Sequence, residues 1–179
     1  MIYKWIYRTP PQFDDILLNS DGEALTGLWF DKSKDAAKHI IDCEEKELDI
    51  FRETCLWLDS YFEGKQPDFI PKYKIERLTE FKKEVIDIMN SIPFGETLTY
   101  SDIAKCIAES RGIERMSAQA VGGAVGSNPI CIIIPCHRVV GTNGSLTGYG
   151  GGIKNKEALL EHEKADMSKF FIPKKGTAL

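Results

Sequence analysis

The chain has 179 residues, 42% hydrophobic and 28% charged, with a net charge of −4, the make-up of one large or two small globular domains with a true core. Its five cysteines form no CxxC pair and no repeated spacing, which argues against a disulfide framework and a zinc site, and no apolar run reaches the length of a membrane span. Because "MIYKWIYRTPP" is broken by Lys4, Arg8 and two prolines where a signal peptide would be continuous, a cytoplasmic protein without metal, cofactor or membrane partner is expected.

The first seventy residues read as a small α/β unit. "MIYKWIYR" and "FDDILLNS" are strand-like, Asp21-Gly22 supplies a turn, and "ALTGLWF" is the returning antiparallel strand. Phe51, Cys55, Leu58 and Phe62 recur at helical spacing and predict a helix ending near Gly64. "GKQPDFIPKYK", with two prolines and mixed charge, reads as linker, bounded as 71–78 between the expected domains 1–70 and 79–179.

Beyond the linker, Phe81, Val85, Ile88, Met89 and Ile92 predict an amphipathic helix from near Thr79 to Pro93. Thr99 or Ser101 can cap the next, whose Ile103 and Ile107 face inward and which Gly112 ends. A third is capped by Ser117, is expected to bury Ala118, Val121, Gly122 and Val125, and breaks at Asn128-Pro129. The last two form a helix-turn-helix candidate within a mostly helical C-terminal part, giving an α/β (α+β) fold class. Outward positions Gln119, Gly123, Gly126 and Ser127 offer little to read base edges with, yet their small size allows close approach to a surface as narrow as the minor groove; the plainer account is that Gly122 and Gly123 let two helices pack closely. Residues 1–70 carry 8 Lys+Arg against 15 Asp+Glu, net −7, and residues 71–179 carry 15 against 12, net +3. A polyanion would therefore be met by the second part, with moderate, salt-sensitive affinity.

The apolar run Ile130–Ile134 reads as a buried strand, interrupted by Pro135 just where Cys136 arrives. A thiol becomes a nucleophile only with a nearby base or positive field. His137 is the obvious candidate, but sequence neighbours do not face each other on a strand or a helix, so a bridging water or irregular backbone has to couple them. A carboxylate should orient the imidazole, and spacing leaves both Glu161 and Glu163 open.

"SNPICIIIPCHRVVGTNGSLTGYGGGI", with "IPFGETLTY", "AVGGAVGSNP" and "KEALLEHE", closely resembles the signature of the O6-alkylguanine-DNA alkyltransferases, also called methylated-DNA–protein-cysteine methyltransferases. The likeness runs from about Thr79 through Glu163, roughly half the chain, and leaves the N-terminal part divergent. It implies irreversible, single-turnover transfer of an alkyl group from O6 of guanine, and O4 of thymine, in double-stranded DNA to Cys136 on a short strand, after the base is flipped out. Under it His137 takes the thiol proton through a water and Glu163 orients His137, so that Glu163→Gln should lower reactivity and keep the fold. Asn128 matches the hinge before the cysteine, and Tyr100 the tyrosine that crowds the target phosphate and assists proton delivery to the leaving guanine. Tyr149 matches the wall of the alkyl pocket, with backbone of Cys136, Val139 and Gly150 at guanine edges. Tyr100, Ser117, Ala118, Gln119, Gly122 and Gly123 would face DNA in the minor groove with little sequence preference, the protein acting as a monomer. One departure is Gln119, which stands where many members insert an arginine.

Two rivals share these features. A non-catalytic damage-recognition or transcription-regulatory helix-turn-helix protein needs the helices but no cysteine at 136, and a cysteine hydrolase would place its histidine far from its cysteine in sequence.

Overall fold

The computed structural model describes residues 1–40 and 42–174. The chain divides into two compact units, one of Met1–Glu76 with Pro129–Ile133, the other of Arg77–Asn128 with the chain from Ile134 onward.

The first unit is a four-stranded sheet in the order β3-β2-β1-β4. β1 (Ile2–Tyr7), β2 (Ile16–Ser20) and β3 (Leu25–Phe30) run antiparallel, with Trp5 opposite Leu18 and Leu18 opposite Leu28. This is the meander expected from the Asp21-Gly22 turn. A short helix α1 (Lys34–His39) and a parallel strand β4 (Cys43–Glu45) complete it; both are too short for their periodicity to show in sequence. Helix α2 (Asp49–Phe62) buries Ile50, Phe51, Thr54, Trp57, Leu58 and Tyr61. That face is rotated from the expected stripe, since Cys55 and Phe62 are only half-buried. Within 71–78 the chain pairs with β3: Leu25 donates its N–H to Lys72 O at 2.9 Å and Lys74 donates to Leu25 O at 2.8 Å.

The second unit holds the helices. Thr79 caps α3 (Glu80–Asn90), which buries Val85 and Met89. Thr99 and Asp102 form a reciprocal capping box on α4 (Tyr100–Arg111), and Gly112, at φ +63°, ends it. Ser117 caps α5 (Ala118–Gly126), as its sequence predicts. Its buried residues are Val121, Ala124 and Val125, whereas Ala118 and Gly122 are half-buried, because the inward face follows 121, 124 and 125 rather than starting at the first turn. A two-stranded parallel pair joins β5 (Leu98–Thr99) to β6 (Val139–Val140). α6 (Ile153–His162) packs Leu160 with Val140, Leu146 and Ala165.

The expected strand over Ile130–Ile134 is corrected by the structure. Ile130 makes a single bridge to Leu28, and the chain then leaves extended geometry twice. Ile133 donates its N–H to Cys131 O at 2.8 Å around Ile132 at φ +68°, and Cys136 donates to Ile134 O at 2.8 Å around Pro135 at φ −80°, ψ 61°. Both are three-residue γ-turns; the second is the common low-energy form that a proline ring favours, and the first is the rarer, strained form. Cys136 therefore opens a 3-10 turn, Cys136–Arg138, instead of riding on a strand, and β6 starts only at Val139.

Candidate active site

The double turn explains why a proline precedes the thiol. Pro135 has no N–H to lose, its fixed φ bends the chain, and the Cys136 N–H is satisfied by Ile134 O. Cys136 is thereby held nearly buried, at 4% exposure, at the start of an irregular segment. Asn128 follows α5 and is itself buried. Its side-chain amide donates to Ile134 O at 3.0 Å and to Cys136 Sγ at 3.1 Å, fixing the turn and offering a hydrogen bond to negative charge on sulfur.

His137 lies wholly buried, its Nε2 2.7 Å from Glu163 Oε1. Glu163, just past the end of α6, is saturated: Arg138 donates from Nε at 2.8 Å and Nη2 at 2.9 Å, and Gly95 N–H at 3.1 Å. Burial would raise the Glu163 pKa, but the charges and hydrogen bonds of His137 and Arg138 outweigh it and hold the carboxyl well below its ordinary range. Burial lowers the His137 pKa against the attraction of Glu163. A neutral imidazole facing an ionised carboxylate carries its hydrogen on Nε2, and Nδ1, which has no hydrogen-bond partner among the described residues, is left as the basic atom. Glu161, the alternative left open by spacing, is exposed. The expectation that Glu163→Gln spares the fold does not fit this burial, because Arg138 would lose its counter-charge in the interior.

Gly95 shows how closely its turn approaches the backbone of Glu163. It adopts φ +80°, and a Cβ there would lie 2.6 Å from Glu163 O. Arg138 also donates to Ile92 O at 2.7 Å and lies over the Phe94 ring. The turn after α3 is thus fastened to the residues following Cys136.

Tyr100, the first residue of α4, donates its hydroxyl to Thr147 O at 3.3 Å, and burial, with the neighbouring Cys136 charge, pushes its pKa up to about 12. Tyr149 is nearly buried in the loop before α6, where Gly152 donates to Tyr149 O at 3.0 Å and encloses a turn with Gly150 exposed at its tip. Lys156 carries no signal in the sequence, yet it is wholly buried. Its Nζ donates to Val139 O at 2.6 Å and Thr147 O at 3.3 Å and lies over the Tyr149 ring. Burial pushes its pKa down to about 8, opposed by Cys136. A lysine amid charged helix residues gives no sign of burial in sequence. Nor does sequence alone give a role to Arg138, beside His137 in the same run.

Gln119 and Gly123 are exposed on α5, and Ser117 Oγ accepts the Ala120 N–H at 3.2 Å. A Cβ at Gly123 or Gly126 would meet nothing within 4 Å, so close packing inside the chain does not account for Gly123. Cys106 is exposed, Cys131 buried, and Cys43 and Cys55 half-buried. Among the described residues no three His, Cys, Asp or Glu side chains gather as a metal site, and no helix is long and apolar enough to cross a membrane.

Residues 80–165 match the family described as 6-O-methylguanine DNA methyltransferase, DNA binding domain. The methylated-DNA–protein-cysteine methyltransferase of Methanosarcina acetivorans is 41% identical over 162 residues, covering 90% of this chain and 98% of its own. That of Haemophilus influenzae is 37% identical over 163 residues, covering 91% and 87%. Among solved structures, the Mycobacterium tuberculosis O6-methylguanine methyltransferase superposes with a TM-score of 0.73 at 35% identity, covering 98% of this chain and 97% of that one. The Mycobacterium tuberculosis OGT in complex with DNA gives 0.73 at 34% identity, covering 94% of each. With a buried cysteine, histidine and glutamate in the segment these relatives share, the chain belongs to the methylated-DNA–protein-cysteine methyltransferase family.

Proposed function

We propose that this chain repairs DNA by moving the alkyl group of O6-alkylguanine, or of O4-alkylthymine, onto Cys136, and that each molecule does so once. The observation that carries the reading is the hydrogen bond from Asn128 to Cys136 Sγ at 3.1 Å beside the buried His137–Glu163 pair, an arrangement suited to holding a thiolate. His137 takes the thiol proton through a water at Nδ1 while Glu163 fixes its tautomer. Sulfur attacks the alkyl carbon, the carbon–O6 bond breaks, and Tyr100 assists protonation of the leaving guanine. The product is a thioether that no group in this chain can cleave, which is the reason for single turnover.

A base stacked in duplex DNA cannot meet a buried thiol, so the target is flipped out of the helix into a pocket walled by Tyr149, with Val139 and Gly150 backbone at its edges. α5 approaches the minor groove through Ser117, Ala118, Gly122 and Gly123, and Gln119 takes the place of the lost base. Three glycines in a nine-residue helix each weaken it by about 1 kcal/mol relative to alanine, and open space around Gly123 supports a use outside the chain. Binding is weak, salt-sensitive and nearly independent of sequence, the protein acts as a monomer in the cytoplasm, and residues 79–179 carry both DNA binding and transfer.

Incubation with duplex DNA containing O6-methylguanine should add a single methyl, about 14 Da, to the peptide holding Cys136, and Cys136→Ser should abolish it while DNA binding persists. Methyl on Cys131 or Cys106, or many adducts removed per molecule, would overturn the mechanism.

A further inference from the structure

The loop that carries Tyr149 is almost devoid of side chains. Gly148, Gly150, Gly151 and Gly152 surround the tyrosine, and Gly148 and Gly152 adopt φ +67° and +92°. Such a sequence has more conformational freedom to lose than any other, so an ordered loop needs tethers. At its start, Thr147 O accepts from the Tyr100 hydroxyl and Lys156 Nζ, both at 3.3 Å. At its end, Gly152 is the N-cap of α6 and provides no side-chain cap. The third helical residue, Asn155, reaches back instead. Nearly buried at 4% exposure, it donates Nδ2 to Gly151 O at 2.8 Å.

We propose that Asn155 is a positioning residue for alkyl transfer, its amide fixing the Gly150-Gly151 turn and through it the Tyr149 ring that walls the alkyl pocket. This rests on the function proposed above. Asn155 acts through the loop rather than on the reacting atoms, by keeping a glycine-rich wall in one conformation so that the alkyl carbon is presented in line with sulfur. Small misplacements matter, since about 1 Å can lower a rate a hundredfold. Leucine matches asparagine in shape and lacks the donor, and aspartate turns a charged acceptor toward the Gly151 carbonyl.

The test measures three quantities on the full chain, for wild type, Asn155→Leu and Asn155→Asp: methyl transfer from O6-methylguanine duplex, alkylation of Cys136 by iodoacetamide, and amide hydrogen exchange of the peptide spanning 147–152. Iodoacetamide needs the thiolate but not the pocket wall. Both variants should transfer methyl about tenfold more slowly, react with iodoacetamide within about twofold of wild type, and exchange faster over 147–152 alone. Unchanged transfer overturns the proposal, as does unchanged exchange in the loop. Transfer and iodoacetamide reactivity falling together would mean a general structural role and equally overturn it. A wild-type chain that transfers no methyl defeats the function reading instead, and the exchange data still decide whether Asn155 tethers the loop.

Discussion

Replacing Glu163 by glutamine removes one negative charge and almost no volume from a site where four hydrogen bonds converge, from His137, twice from Arg138 and from Gly95. Glutamine has one oxygen, so its NH2 must oppose a donor, and Arg138, at 8% exposure, is left without its counter-charge. Breaking a buried pair in this way costs about 3–5 kcal/mol. Against a typical total stability of about 5–15 kcal/mol this is a large share, and at about 2–4 °C per kcal/mol it lowers Tm by roughly 6–20 °C. Arg138→Met removes the partner and keeps an apolar stem. Because the two charges serve each other, the double variant should lose less than the sum of the singles by about 1.5–3 kcal/mol. Urea unfolding followed by far-UV circular dichroism measures all four corners of the cycle. Additivity within about 0.5 kcal/mol, or a single-variant loss below about 1 kcal/mol, would rule out a mutually dependent buried pair, since either means that water already serves these groups.

Three further outcomes are expected. Glycine is ordinarily worse than alanine away from turns, but at Ile132, held at φ +68°, the order should invert, with Ile132→Gly more stable than Ile132→Ala by about 1 kcal/mol in urea; the usual order would mean that the γ-turn relaxes. As acid is added, the unfolded chain protonates His137 below 6.5 while burial keeps the folded imidazole neutral, and below 4.5 it also protonates Glu163, which the folded state keeps ionised. Stability must fall through both windows, and a urea midpoint in Glu163→Gln that drops as steeply below 4.5 as in wild type would contradict this. Lys156→Met removes the buried cation attracted to Cys136, so iodoacetamide labelling of Cys136 should need higher pH; an unmoved profile would mean that the charge does not reach the sulfur.

Much of this arrangement was legible in the sequence for local reasons. Thr79, Ser117 and Gly112 announce helix ends through their own short-range chemistry and act where expected, and of the two candidates Thr99 and Ser101 it is Thr99 that caps α4. The choice between Glu161 and Glu163 was not legible from spacing, because which carboxylate turns inward depends on where α6 stops. The Ile130–Ile134 run misled for a related reason: apolar composition signals burial and is silent about backbone shape, and a left-handed isoleucine defies its own propensity. Lys156 and Asn155 look like surface residues until the elements that enclose them are placed.

Residues 129–133 belong to the first unit although the chain reaches them long after Glu76. Leu28 donates to Pro129 O at 2.8 Å and accepts from Cys131 at 3.0 Å, so this late segment satisfies the outer edge of β3. A fragment ending at residue 76 would leave that stretch of edge strand open to other chains, the setting in which aggregation starts. On the ribosome the same gap persists while some fifty residues are made, so the sheet is finished only when the segment leading to Cys136 has emerged.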